Sequence, residues 1–536
     1  MKEFNITGLC IPEKHYMVDT SKKVQKIIEM IDKGKYFIIN RPRQYGKTTT
    51  LSLLYQRMIT ISPYLVIRTS FEGLGEQSFE SEISFCIIFT KQIAKALNRI
   101  PQCNVALEYI KETNQPKTFI ELNNFITNLI NTTKQKIILM IDEVDKASNH
   151  IVFLNFLGML RTKYLDREEG LDQTFHSVIL VGVHDVKNIK KKIRPDSESH
   201  YNSPWNIATE FKVDLSFSAE EIETMLEDYV SALRQAQHTA LRQAQHTATQ
   251  TNRFDISSIS KEIYKFTSGY PFLVSKICKV IDEDLDKDWS MEGIQKAIDN
   301  ILKERNTLFD DLIKNVDNNK ELYDLLYSIL IDSIPIQYNT ANPIIDLSNI
   351  YGITAEGEYG RLKISNKIFE IYLYNYLISK LETQNLSITH YGFRDNFINN
   401  SGDLEIEKIL LKFQEFIKET YSDKDTQFYE RNGRLLLIAF VKPIINGSGF
   451  YYIEPQSSYE RRMDMVITFN KKEYILEFKL WYGTEYHEKS LKQLAGYLDS
   501  RNHGVGYLVT FNFNKNKEFT NGWRDVDSKK IFEVFV

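Results

Sequence analysis

Tyr36-Phe-Ile-Ile-Asn40 followed by Arg41-Pro-Arg-Gln-Tyr-Gly-Lys-Thr48 is the stretch on which the reading of this 536-residue chain turns. The five residues to Asn40 predict a short buried strand. From Thr49 onward, Leu51, Leu53, Leu54 and Met58 predict a helix. A loop between strand and helix turns successive backbone N–H groups and the helix N-terminus toward one point, which is how proteins hold phosphate. Gly46 marks where backbone must approach the anion, Lys47 is placed to reach the β and γ oxygens, and the Thr48 hydroxyl suits Mg²⁺. Arg43, Gln44, Tyr45 and Thr49 complete the predicted nucleotide-binding set. Arg41 stands where such a loop usually begins with glycine, so the loop alone is an incomplete match.

A second segment supplies what the loop lacks. Lys136-Ile-Ile-Leu-Met-Ile-Asp142-Glu143 reads as a buried strand ending in two acids, with Asp142 supporting Mg²⁺ and Glu143 polarising an attacking water. A chance glycine turn beside an exposed acidic strand end would have to produce both motifs together. Other positions admit two readings each. His184 and Asp185, after the expected strand Ser177 to Val183, are either polar groups near the γ-phosphate or an exposed loop end. Arg194 is either a transition-state arginine or part of the solvated run Lys190-Lys-Lys-Ile-Arg194. Gly269-Tyr270-Pro271 is either a lid turn near the base or a plain helix-breaking turn.

Working outward, 42% hydrophobic and 26% charged residues describe an ordinary globular chain, and its length predicts about three compact units. A formal net charge of −4 gives no whole-molecule attraction to nucleic acid, so any such binding needs a local patch. Cys10, Cys86, Cys103 and Cys278 form no CxxC pair, which suggests neither a zinc site nor a disulfide framework and fits a reducing cytosol. The longest apolar runs, such as Leu435 to Val441, fall short of the ~18 residues of a membrane span. The expectation is a cytoplasmic protein with no membrane partner.

The first 212 residues alternate strand-like and helical patterns, predicting βαβ units and a parallel sheet. Residues 213–310 turn helical, with Ser218 three residues before Glu221 as in a capping box. They contain a duplicated octapeptide, Leu233 to Ala240 repeated at Leu241 to Ala248, too short for a solenoid and given no function. Residues 311–386 read as a helical unit in which Gly360 to Ile364 resembles a wing. Residues 387–402 are the expected linker, and 403–536 a second α/β domain.

In that last domain, Met463 to Phe469 and Tyr474 to Leu480 alternate as a hairpin. Met465, Ile467 and Phe469 share one face with Leu476, Phe478 and Leu480, leaving Asp464, Glu477 and Lys479 on the other. A tight turn would set Asp464 across from Lys479 and diagonal to Glu477. Two neighbouring carboxylates are costly unless a cation joins them, and Mg²⁺ prefers carboxylate oxygen and water. Lys479 beside it is placed to activate water on a phosphodiester. A surface salt bridge is the competing account. Gln493 and Tyr497 follow one turn apart on the next predicted helix, and Glu430 lies on the preceding one, Thr426 to Val441. Arg461-Arg462 and Lys471-Lys472 are candidate DNA-backbone contacts or a solvated edge.

With Gly8, Pro12, His15-Tyr-Met17, the loop Arg41 to Thr48, Tyr201-Asn-Ser-Pro-Trp205 and Arg461-Arg-Met-Asp464, nearly the whole chain resembles the bacterial AAA-like, STAND-related ATPases fused to a PD-(D/E)xK domain. The octapeptide duplication departs from that pattern. The resemblance implies an α/β fold class: a P-loop NTPase with parallel sheet and helical lid, a winged-helix-like unit, and a mixed α/β PD-(D/E)xK-like domain. It implies ATP and Mg²⁺ as cofactors, with Thr48, Asp142, Asp464 and Glu477 as metal ligands. Glu143, Asp464, Glu477, Lys479 and Gln493 are the expected catalytic set. It further implies nucleic acid, DNA foremost, at the C-terminal domain, and is compatible with a homo-oligomer. The function expected is an ATPase regulating a metal-dependent nuclease, the alternative a STAND-type signalling or scaffold ATPase that binds without cutting.

Overall fold

The computed structural model describes residues 2–182, 207–243, 255–384, 397–420, 449–452 and 465–536, except 62, 101–102, 331–333, 400, 470–471, 513 and 515–516, together with Leu437 and Val441. Asp464, Glu430, His184, Asp185, Arg194, Tyr201 to Trp205, Arg461-Arg462 and Lys471 lie outside the described residues. So does most of the linker, the end of the second octapeptide copy and, but for Leu437 and Val441, the predicted helix Thr426 to Val441.

The chain forms two compact units, Met1–Leu312 with Leu347–Ile353, and Ile313–Asp346 with Thr354–Val536. The first is built on four parallel strands, β1 (Tyr36–Asn40), β2 (Tyr64–Ser70), β3 (Lys136–Asp142) and β4 (Ser177–Gly182), in the order β1-β4-β3-β2. A parallel bridge from Phe37 to Thr209 extends the sheet beyond β1. Alternate side chains divide between two cores, as a sheet covered on both faces requires. Phe37, Ile39, Val66, Ile138, Met140, Ile179 and Val181 pack on α1 (Ser21–Asp32) and α2 (Lys47–Met58). Ile38, Ile67, Leu139, Ile141 and Leu180 pack on α3 (Glu82–Leu97), α4 (Asn104–Glu112), α5 (Phe119–Thr133) and α6 (Ile151–Glu168).

A charged side chain is buried beside the second core. Lys163 of α6 has no exposed side-chain surface, and its ammonium pairs with Asp172 and donates to Asn123 Oδ1 and Thr127 Oγ1. Burial alone would raise the Asp172 carboxyl, but bonds from Lys163, Thr127 and the Gln173 amide hold it below its usual value. Its stabilising contribution is therefore present above the unfolded carboxylate pKa and lost as pH falls through the lower folded value. Asp172→Ala strands the buried ammonium, and is expected to cost about 2–3 kcal/mol at neutral pH, read by thermal melting. A melting temperature equal to wild type at pH 7 would contradict this.

A helical layer completes the unit: α7 (Ala219–Gln243), α8 (Ile256–Thr267), α9 (Pro271–Asp284), α10 (Met291–Lys303) and the first half of α11 (Thr307–Asp317). The α7 entry is a reciprocal capping box: Glu221 N donates to Ser218 Oγ at 3.2 Å and Ser218 N to Glu221 Oε2 at 2.9 Å.

In the second unit, α12 (Lys320–Leu330) and α14 (Lys367–Gln384) flank the antiparallel pair β5 (Thr354–Glu356) and β6 (Leu362–Ile364). Between them α13 (Pro343–Ile350) crosses the unit boundary. After α15 (Ile406–Thr420) comes a six-stranded sheet, β11-β12-β10-β9-β8-β7. Here β7 (Gly449–Tyr452), β8 (Met465–Phe469) and β9 (Lys472–Leu480) run antiparallel in sequence. Helix α16 (Thr484–Ser500) then crosses to β10 (Val505–Phe511), parallel to β9, and β11 (Asn521–Val526) and β12 (Lys529–Phe535) close the far edge. Leu491, Leu494, Ala495 and Leu498 of α16 cover Val466, Ile475, Leu508 and Ile531. Among the described residues, no helix is long and apolar enough to cross a membrane, and all four cysteines are free.

Candidate functional site

At the end of β1 the chain turns through 41–46 into α2. In the loop, among the described residues, positive φ is confined to Gln44 (55°) and Gly46 (73°), and Gly46 is the N-cap of the helix. Arg41 has no such requirement, which is why a glycine is dispensable there. Its guanidinium instead donates to Asn40 O at 2.9 Å and Val213 O at 2.8 Å and lies 5.2 Å over the Phe211 ring, fastening the root of the loop to the segment beyond β4. Lys47 is buried and its ammonium donates to the carbonyls of Arg41 (2.9 Å) and Pro42 (2.8 Å). Burial lowers its pKa, opposed by the charges of Glu143, Asp145 and Asp142.

The end of β3 meets this loop. Asp142, 4% exposed, accepts from the Glu143 amide at 3.0 Å, and the Thr48 side chain is near enough to lower its pKa. Burial raises its carboxyl above the usual range, and burial with the Asp142 charge does the same to Glu143. Glu143 takes a left-handed backbone (φ 54°) that starts the short turn Val144–Ala147.

The helical layer holds the loop from the other side. Tyr270, fully buried, donates its hydroxyl to Arg43 O at 2.5 Å and sets its ring edge-on to Tyr45 at 4.8 Å. Arg43 pairs with Asp311 at 3.0 Å and Gln44 Nε2 donates to Thr307 Oγ1 at 2.8 Å. Pro42 is covered by Gly352, where a Cβ would come within 2.4 Å of the proline ring. Thr49 accepts from the Cys10 amide at 3.2 Å, so the N-terminal segment also reaches the start of α2. A cavity of about 310 Å³ opens there, lined by Cys10, Gly46, Thr49, Thr50, Phe217 and Pro271.

Arg43 to Thr49, Asp142 and Glu143 are thus gathered at one edge of the parallel sheet. Asp145, Asp311 and Thr307 were not among the sequence-predicted residues. For Asp145 the available signal was its place three residues after Asp142; the other two belong to a helix more than 260 residues from the loop.

In the second unit, Glu477 is fully buried and its Oε1 lies 2.7 Å from Lys479 Nζ. The ladder pairs Met465 with Leu476. Setting Asp464 across from Lys479 would need Met465 opposite Phe478, so the expected register is two residues off. Thr510 on β10 stands beside Lys479. Gln493 is half-buried on α16, and Tyr497 packs in the core with Val466 and Ile475. Lys472 pairs with Asp403 at 2.6 Å, which ties it to the fold. Two strands over from Glu477 in the same cross-strand row, Glu533 Oε2 lies 2.9 Å from His487 Nε2, and Arg524 extends this buried pair at 2.7 Å. Among the described residues no group of three or more His, Cys, Asp or Glu side chains is placed to hold a metal ion.

No curated protein matches the chain. Among solved structures it is similar to Cdc6p from Pyrobaculum aerophilum, with 14% identity and a TM-score of 0.32 over 69% of this chain and 95% of that one. The Aeropyrum pernix ORC2 protein, solved as ADPNP-ADP complexes, gives 12% and 0.37 over 72% and 98%. The Aeropyrum pernix ORC1 protein, solved in complex with DNA, gives 12% and 0.29 over 68% and 94%. The AAA-like domain family matches residues 11–375, about two thirds of the sequence, and the chain belongs to that family.

Proposed function

We propose that the first unit binds and hydrolyses ATP with Mg²⁺, and that its nucleotide state regulates a metal-dependent nuclease site in the second. The observation that carries the first half is the meeting of Lys47, Thr48 and Asp142 at one sheet edge, with the Thr48 side chain near enough to the Asp142 carboxyl to lower its pKa. A hydroxyl and one buried carboxylate suit Mg²⁺, which takes few protein ligands and fills its shell with water and phosphate oxygens. Held there, the ion supplies charge neutralisation at the β and γ phosphates. The backbone amides of Gln44 to Thr48 and the Lys47 ammonium bind the phosphates, the latter by leaving its two loop carbonyls. Glu143, its carboxyl raised by burial and by the Asp142 charge, orients the attacking water. The cavity between Cys10, Phe217 and Pro271 adjoins the loop where the base would lie.

For the second half, support comes from topology and from one pair. A helix, three antiparallel strands, a crossing helix and a parallel strand are the order of a PD-(D/E)xK core. The buried Glu477 beside Lys479 sits on its third strand. Glu477 and Asp464 would hold the metal, Lys479 would steady the water and the scissile phosphate, and Gln493 on α16 would assist. DNA is the substrate favoured by this reading, in a cytoplasmic setting.

The test is cleavage of linear duplex DNA, single-stranded DNA and RNA with Mg²⁺ or Mn²⁺, with and without ATP. Wild type is expected to cut, Glu477→Ala to lose about 100-fold or more, and Lys47→Ala to lose the response to ATP. No cleavage under any metal, with ATP binding intact, would replace this reading with a signalling or scaffold ATPase whose second unit binds without cutting.

A further inference from the structure

Asp145 has no role in the proposal above, yet it occupies the junction of three elements of the site. It lies in the short turn that Glu143 starts, which Ser148 N closes by donating to Asp145 O at 3.1 Å and Lys146 Nζ anchors by donating to Glu72 O at 2.8 Å. From there its carboxylate is laid against the last residue of β4. An ideal Cβ built on Gly182 would sit 2.9 Å from both Asp145 oxygens, closer than real Cβ atoms come, so the carboxylate fills the space that glycine leaves.

Gly182 is itself the root of the phosphate loop. It pairs with Asn40 across the sheet, and its carbonyl accepts from the Arg41 amide at 3.2 Å, the first amide of the loop. The chain of contacts therefore runs from Glu143, through the turn, to Asp145, to Gly182 and into the loop that carries Lys47. Asp145 is also near enough for its charge to act on the Lys47 ammonium. Oriented groups gain their effect from being held within fractions of an ångström, and a displacement of about 1 Å costs on the order of 100-fold in rate.

Resting on the reading of this site as an ATPase, we propose that Asp145 is a positioning residue: pressed on Gly182, it locks the Glu143 turn to the root of the phosphate loop, so that the water-orienting acid and Lys47 keep a fixed spacing. It need not touch nucleotide, and Gly182 is glycine because the carboxylate takes the place of a side chain.

The experiment compares the full chain with Asp145→Asn, Asp145→Ala, Gly182→Ala and the double variant Asp145→Ala with Gly182→Ala. ADP affinity, steady-state ATP turnover and thermal melting are measured on each. Asp145→Asn keeps the shape and is expected to match wild type in melting, ADP affinity and turnover, whereas Asp145→Ala removes the contact and is expected to bind ADP within about threefold while kcat falls about 10- to 100-fold. Gly182→Ala is expected to lose both melting temperature and kcat. Adding Asp145→Ala removes the clash, so the double variant regains melting temperature but not turnover. A residue that only packed the turn would give the opposite, turnover returning with stability, and that result overturns the proposal. So does Asp145→Ala turning over ATP within about twofold of wild type. A wild type that binds ATP without hydrolysing it would instead overturn the ATPase reading and this proposal with it.

Discussion

Lys47→Ala is expected to weaken ATP and ADP binding by roughly 30- to 150-fold, the equivalent of the ~2–3 kcal/mol carried by hydrogen bonds from a charged donor. Lys47 is 7% exposed, and the charges of Glu143, Asp145 and Asp142 reach its ammonium. In the structure its protons go to the Arg41 and Pro42 carbonyls, neutral acceptors that a phosphate oxygen outcompetes. Alanine removes a cation whose charge reaches all three acids and leaves the phosphates to meet them with less screening, so affinity falls for both nucleotides and more steeply for the triphosphate. Titration calorimetry in Mg²⁺ reads the effect. Equal affinities in wild type and variant would remove the loop from nucleotide binding altogether.

Gly269→Ala is expected to be the most damaging single methyl in the first unit. Gly269 ends the turn between α8 and α9 with φ +73°, and a Cβ there would lie 1.8 Å from Phe217 O. A left-handed alanine costs about 1–2 kcal/mol by itself. The clash adds to this and breaks the 2.8 Å bond from Phe217 N to Gly269 O, worth about 1 kcal/mol. A total of about 3–4 kcal/mol corresponds to a drop of roughly 6–16 °C in the melting of this unit. Nucleotide affinity should fall as well, because the neighbouring Tyr270 holds Arg43 O. A variant melting within a degree of wild type would show that the turn relaxes without cost.

How much of this was legible in the sequence depends on how local the cause is. The four parallel strands, buried on both faces, announced themselves as apolar runs. The capping box at Ser218 and Glu221 was readable because both of its hydrogen bonds lie within four residues. The hairpin of β8 and β9 was foreseen, but β9 begins at Lys472 and not Tyr474, because Lys472 pairs with Phe469 in the ladder and with Asp403 beyond it. That earlier start shifts the register on which the placing of Asp464 depended. The closing hairpin of β11 and β12 was missed. Its outer strand is polar and exposed, so no alternation marks it, although Asp527 and Ser528, with φ of 46° and 68°, form the two-residue left-handed turn that such hairpins use. Arg41 looked like a defect in the loop. Only the backbone angles show that the position has no need of glycine, and only the fold brings Phe211 and Val213 to its side chain. Asp145 went unremarked because the motif was read as ending at Glu143, and its partner Gly182 is on another strand.

The cover that Gly352 places on Pro42 also has a consequence for the order in which the protein is made. The phosphate loop leaves the ribosome about 300 residues before the segment 347–353 that closes over it, an interval of roughly 15–60 s at ~5–20 residues per second. During that time the strands and helices that position Lys47 and Asp142 can assemble, while the ring of Pro42 waits for its neighbour. A nascent chain halted before that segment would carry a phosphate loop with its motif intact and one wall missing, so nucleotide bound during synthesis would meet a looser site than the finished protein offers.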